Sequence, residues 1–141
     1  MPDELFIDTN ILMYAHDLDA GRKHEKAKKL VADLWRSAPF PWLSVQVLQE
    51  LVAGMSRKKV PFSEVQETVE DYAHWRVVEN TLETLKAAVT EMKRWQLSFW
   101  DAHILAAARK AGVSRIWSED FVDGREYSGI QVVNPLKSSR N

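Results

Sequence analysis

Short apolar runs alternate with helical stretches along this chain, and that alternation limits its fold more than any single motif does. Leu5–Ile7, Trp42-Leu43, Val77-Val78, Arg115–Trp117 and Ile130–Val133 read as strands. Between them lie segments of helical period. Asn10 to Ala15 carries no turn signal, and Ala27, Leu30, Val31, Leu34 and Trp35 recur at i, i+3, i+4, i+7 and i+8. Leu48, Leu51, Val52 and Met55 make a third stripe, and Pro61 and Ser63 open a fourth helix running to about His74. Leu82, Leu85, Val89, Met92 and Trp95 form a stripe expected to pack on the sheet; Ile104, Leu105 and Ala108 form the last. Strands alternating with helices imply an α/β domain with a mainly parallel sheet.

The punctuation agrees with that reading. Pro39 and Pro41 stop one helix, Ser44 is placed to cap the next, Thr81 or Thr84 caps another, and Gly112 ends the last. Gly54 stands inside a helical stripe, where glycine costs about 1 kcal/mol relative to alanine, so it marks a close contact or an early helix end. At 141 residues the chain is expected to be a single domain over residues 1–135, with 136–141 a frayed tail.

A formal net charge of -1 removes any global attraction to phosphate, so affinity for a nucleic acid would have to come from a local patch or a bound cation. Arg22, Lys23, Lys26, Lys28 and Lys29, then Arg57 to Lys59, then Arg109-Lys110 are the local candidates, each equally readable as a solvated helix face. The chain has no cysteine, which excludes disulfides and thiolate chemistry. No apolar run approaches the roughly 20 residues of a membrane span, and the acidic start lacks the pattern of a signal peptide, so a cytoplasmic protein with no membrane association is expected.

Four acids stand at chemically suggestive places. Asp8 and Asp120 follow strands, where the ligand crevice of a parallel sheet opens. Glu50 lies at the edge of a buried stripe, and Asp101 at the amino-terminal end of one. Each also has a structural reading: Asp8, Thr9 or Asn10 as a helix cap, and Ser98 with Asp101 as a capping box. Carboxylates gathered together repel one another, and Mg²⁺ or Mn²⁺, which prefer oxygen ligands, relieve that repulsion while activating water and stabilising a phosphoryl transition state.

Phe6-Ile7-Asp8-Thr9-Asn10-Ile11-Leu12, Val47-Leu48-Gln49-Glu50-Leu51, Phe99-Trp100-Asp101-Ala102, Ser118-Glu119-Asp120-Phe121 with Asp123-Gly124, and Val132-Val133-Asn134-Pro135 follow one another along the chain. In that order they resemble the PIN-domain ribonucleases, and within them the VapC-type toxins of toxin-antitoxin pairs. The resemblance implies a three-layer α/β/α fold with a five-stranded, mainly parallel sheet. It also implies that Asp8, Glu50, Asp101 and Asp120 gather to hold Mg²⁺ or Mn²⁺, with Thr9, Asn10 and Ser118 in support. Asp8 and Asp101 would be direct ligands. Glu50 would complete the shell or orient the water, and Glu119 and Asp123 lie close enough in sequence to replace Asp120. The activity implied is metal-assisted hydrolysis of RNA, leaving 5′-phosphate and 3′-hydroxyl ends. The implied partners are a small antitoxin and a second copy of the chain in a homodimer.

His103, two residues beyond Asp101, points away around the helix and reads as structural. Trp35 and Trp95 fall on core stripes, which leaves Trp100, beside Asp101, as the tryptophan to consider for base stacking. A phosphatase using a strand-end aspartate would want a second acid two residues on, where this chain has Asn10. The remaining alternatives are a PIN-type nuclease of RNA processing or decay and a catalytically silent binding module of the same fold.

Overall fold

The structure is a computed structural model and describes residues 4–137. Five short strands, β1 (Leu5–Ile7), β2 (Trp42–Ser44), β3 (Arg76–Val78), β4 (Arg115–Trp117) and β5 (Gln131–Val133), form one sheet in the order β3-β2-β1-β4-β5. Every pairing is parallel, so the sheet is fully and not only mainly parallel. The chain steps outward from β1 through β2 to β3, then returns to the far side of β1 for β4 and β5. Connections therefore leave the adjacent strands β1 and β4 in opposite directions, and a crevice opens at their carboxyl ends. Ile7 stands opposite Trp117, and Asp8 N–H donates to the Trp117 carbonyl at 3.0 Å, so Asp8 and the turn after β4 emerge side by side.

Six helices cover the sheet: α1 (Thr9–His16), α2 (Arg22–Trp35), α3 (Val45–Arg57), α4 (Phe62–Tyr72), α5 (Leu82–Trp95) and α6 (Phe99–Ala111). Right-handed crossovers place α1 to α4 on one face and α5 with α6 on the other. The packing agrees: α1 lies against α2 and α3, α3 against α4, and α5 against α6, which in turn touches β2 and β3. Phe6, Leu43, Ile116 and Val132 from the strands meet Ile11, Leu12, Val47, Leu51 and Leu105 from the helices in the buried core. Trp35 joins Phe40, Tyr72 and Trp75 in an aromatic cluster beside it, in keeping with a packing role. No helix among the described residues is long and apolar enough to cross a membrane.

Several local expectations meet the structure directly. Ser44 Oγ accepts from Val47 N–H and caps α3, and Thr81 and Thr84 form a complete capping box on α5. Gly54 is a close-contact glycine, because a Cβ there would stand 2.7 Å from the Met13 thioether, and α3 continues past it to Arg57. Asp17–Gly21, between α1 and α2, contains a single 3₁₀ turn, Leu18–Ala20. Leu136 is buried, and its carbonyl and that of Lys137 accept from Lys26, so the expected fraying does not begin at 136; residues 138–141 lie outside the described ones.

The α5 stripe is the larger correction. Leu82, Leu85 and Val89 are exposed, and the buried side chains of α5 are Thr84, Ala88 and Glu91. The reason lies in α6, whose residues Ala102 to Ala108 are buried on every side and include four alanines. That small-residue helix occupies the sheet face itself and lets α5 approach through Ala88, leaving α5 as an outer layer with its leucine row pointing to solvent.

Candidate functional site

Asp8 and Glu50 meet through Thr9 at the β1/β4 crevice, and the charges of Asp120 and Glu50 act on both Asp8 and Asp101. Asp8 ends β1 and caps α1: its Oδ1 accepts from Thr9 N–H at 2.7 Å, and its Oδ2 from Ser118 Oγ at 2.7 Å. The cap and the crevice position are therefore the same fact seen twice. Ser118, wholly buried after β4, spends one hydroxyl on several partners. It donates to Asp8 and accepts from Asp120 N–H at 3.0 Å and from the Asn10 side-chain amide at 3.5 Å. Asn10 in turn accepts from Glu119 N–H at 3.2 Å, which ties the start of α1 to the turn beyond β4.

Glu50, in the second turn of α3, reaches the same place. Its Oε1 accepts from Thr9 Oγ1 at 2.6 Å and its Oε2 lies 3.4 Å from the Gln46 amide. Asp101 sits in the first turn of α6, where Ser98 Oγ takes its N–H at 3.2 Å as the first half of a capping box. Burial raises the Asp101 carboxyl above the usual carboxylate range, and the charges of Asp120 and Glu50 add to the rise, against a hydrogen bond from Ser98. Burial likewise pushes Asp8 up to about 7, opposed by the Ser118 and Thr9 hydrogen bonds and reinforced by the charges of Asp120 and Glu50. Both raised carboxyls feel the same two charges, Asp120 and Glu50, which links the four acids electrostatically.

The contacts set Asp120 apart from its two acidic neighbours. Glu119 is drawn off by Lys23 at 2.7 Å and by the Tyr14 hydroxyl. Burial raises its carboxyl, but those two partners outweigh burial and leave it below its ordinary value. Asp123 accepts from Asn134 N–H at 2.8 Å and pairs with Lys137, both structural tasks. Asp120 is left exposed at the crevice, where it lines a groove of about 450 Å³ with Thr9, Asn10, Met13, Glu50 and Arg57.

The donor set suits a hard cation. All four side chains offer oxygen, and the chain has no thiol to compete. Among the described residues no three acidic or imidazole groups are already drawn into a metal cage. Mg²⁺ and Mn²⁺ do not require one, because Mg²⁺ in particular is held through one or two carboxylates and keeps several waters. Asp8 and Asp101, whose carboxyls are unfavourably charged as they stand, have the most to gain from such a partner.

Sequence reasoning missed the Gln46–His103 pair beside Glu50, discussed below, and overvalued one basic cluster. Arg109 is spent on Glu91 and on the Ser128 and Tyr127 carbonyls, and Lys110 on Glu83. Of Arg57 to Lys59, Lys58 pairs with Asp17 and Asp19, while Arg57 faces the groove.

Comparison with curated proteins finds no match. Among solved structures, the chain is similar to a toxin-antitoxin complex from Klebsiella pneumoniae, at 25% identity and TM-score 0.67, covering 94% of this chain and 97% of that one. It is similar in fold to Mycobacterium tuberculosis VapC20, described as a sarcin-ricin loop cleaving toxin, at 24% identity and TM-score 0.68, covering 83% and 92%. DNA-bound VapBC from Salmonella typhimurium shares the fold at 16% identity and TM-score 0.61, covering 92% and 96%. The PIN domain matches residues 5–122, most of the chain, and the protein belongs to the PIN domain family.

Proposed function

We propose that this protein is a ribonuclease of the VapC type, the toxin of a toxin-antitoxin pair, which hydrolyses RNA phosphodiester bonds with Mg²⁺ or Mn²⁺ held by Asp8, Glu50, Asp101 and Asp120. The observation that carries the reading is that Glu50 and Asp120 line one groove at the β1/β4 crevice of a PIN-family chain while their charges add to the raised carboxyls of Asp8 and Asp101. When bound, the cation polarises the scissile phosphate and makes an attacking water more acidic.

The chain's own residues prepare that chemistry. Ser118 and Thr9 N–H fix both Asp8 oxygens, and Thr9 Oγ1 fixes Glu50, so the ligands are oriented before anything binds. Asp8 and Asp101 act as direct ligands, Glu50 completes the shell or orients the water, and Asp120 closes the exposed side. A carboxyl pushed up to about 7 carries a proton part of the time near neutrality, and Asp8 must release it to become a ligand. Arg57 supplies a cation on the groove wall for the RNA backbone, and Trp100, 61% exposed beside Asp101, offers a ring face to a base.

An antitoxin partner is supported by the Klebsiella relative, described as a toxin-antitoxin complex, and by the Salmonella relative, described as DNA-bound VapBC. RNA as substrate is supported by VapC20. A homodimer is supported by the exposed apolar row on α5. A cytoplasmic location goes with an RNA substrate and a protein antitoxin.

The test is cleavage of a mixed RNA pool by the purified protein with Mg²⁺, with Mn²⁺ and with chelator, beside an Asp8→Asn variant purified identically. The reading expects cleavage that needs the cation and disappears in the variant. Equal cleavage by both proteins, or cleavage unaffected by chelator, would overturn it.

A further inference from the structure

Glu50 is the one acid of the four held in the body of a helix, away from any strand end or helix start, and something must fix its rotamer. Thr9 holds Oε1. The other oxygen faces Gln46, one helical turn earlier, at 3.4 Å. Gln46 is only 3% exposed, and its amide has partners on both sides: Nε2 also donates to the Trp100 carbonyl at 3.1 Å, and Oε1 lies 2.6 Å from His103 Nδ1.

The proton positions follow from the partners. A carboxylate oxygen and a backbone carbonyl can only accept, so the Gln46 NH₂ group must face them and Oε1 must face the imidazole. An amide oxygen also only accepts, so His103 Nδ1 carries a proton and donates it. The imidazole is itself fixed, buried and stacked on Phe99 with ring centroids 5.5 Å apart and planes 13° from parallel.

We propose that His103 and Gln46 are positioning residues for Glu50: His103 Nδ1–H locks the Gln46 amide, and the locked amide presents N–H groups to the Glu50 carboxylate and to the Trp100 carbonyl. The inference rests on the four-carboxylate cation site proposed above. Its second consequence concerns Asp101. The Trp100 carbonyl belongs to the first turn of α6, next to Asp101, so one side chain ties the helix that carries Glu50 to the helix that carries Asp101. A buried polar pair between two helices is costly unless every member is satisfied, and here the amide is held from both ends.

Mn²⁺ binding, measured by calorimetry on the full chain and paired with RNA cleavage kinetics, tests the assignment. His103→Leu and Gln46→Leu remove the hydrogen bonds, whereas His103→Asn keeps an N–H donor near the place of Nδ1. Loss of an outer partner of a metal ligand typically costs about 10- to 100-fold in affinity or activity, so both leucine variants are expected to bind Mn²⁺ at least about tenfold more weakly and to lose kcat. Their KM for RNA is expected to change less than about twofold, because no contact to RNA is removed. His103→Asn is expected to stay within about threefold of wild type on the same scale.

Leucine variants that bind Mn²⁺ like wild type would overturn the inference, as would an asparagine variant no better than His103→Leu, since pocket filling would then be what matters. If His103→Leu fails to fold, as judged by thermal unfolding in chelator, Gln46→Leu carries the same test. The cation-site reading is checked separately by Asp8→Asn. Wild-type Mn²⁺ binding that ignores Asp8 overturns both readings, whereas binding that needs Asp8 and ignores Gln46 and His103 overturns this one alone.

Discussion

Asp8 is placed for function at a cost in stability. Its carboxyl is buried, and the ionised form is disfavoured by burial first and by the Asp120 and Glu50 charges after it. The group has a pKa near 3.8 when unfolded and about 7 when folded, so the folded state binds the extra proton between those values. The Asp8 contribution to the stability of the cation-free protein is therefore fullest below about pH 4 and falls as pH rises toward 7, by at most about 4 kcal/mol at about 1.4 kcal/mol per pH unit. Asp8→Asn removes that loss but weakens the paired acceptance from Thr9 and Ser118. Urea unfolding in chelator should find the variant about 1–3 kcal/mol more stable than wild type near pH 8, with the difference shrinking toward about pH 4.5. A variant no more stable near pH 8 would mean that the Asp8 carboxylate is comfortably solvated, contrary to its burial.

At the scale of elements, α5 and α6 show what a sequence pattern can and cannot say. The stripe of α5 has helical period, and the helix is there, but period does not tell which face meets the protein. The useful signal was in α6, where four alanines mark a helix that others approach closely, and it drew α5 in through Ala88 and a buried Glu91. Glu91 is 5% exposed and pairs with Arg109, with Trp95 Nε1 donating to it as well. Glu91→Ala should thus destabilise the protein by about 2–3 kcal/mol in denaturant titration, less than a fully buried pair because Arg109 remains partly in water. RNA cleavage per folded molecule should not change, and an effect under about 0.5 kcal/mol would show the pair to be ornamental. The acid positions were legible for a local reason: strand ends and helix starts are visible in sequence, and Asp8, Asp101 and Asp120 sit at them. That Glu119 is held away by Lys23 and Tyr14 was not legible, because both lie far away in sequence. Nor was the contact of His103, whose partner Gln46 lies on another helix.

For the whole molecule, the unexplained surface is the row Leu82, Leu85 and Val89, respectively 66%, 43% and 54% exposed. Val89 continues with Met92 and Leu97 into a shallow hollow, so the apolar strip runs the length of the helix and nothing among the described residues covers it. A two-fold axis would let this one strip serve both partners. Two copies of α5 crossing antiparallel on a two-fold axis near residue 87 would set Leu82 against Met92 and Leu85 against Val89, each contact made twice. The four acids all come from one chain, so such a dimer would not be needed to complete the site. These statements separate assembly from chemistry. Sedimentation velocity at micromolar concentration should find wild type as a dimer and Leu85→Glu with Val89→Glu as a folded monomer, because both side chains are already in water in the single chain. That monomer should still cleave a short RNA with Mn²⁺. A wild type that sediments as a monomer, or a double variant that remains dimeric, would assign the α5 strip to some other surface contact and leave the acid site untouched.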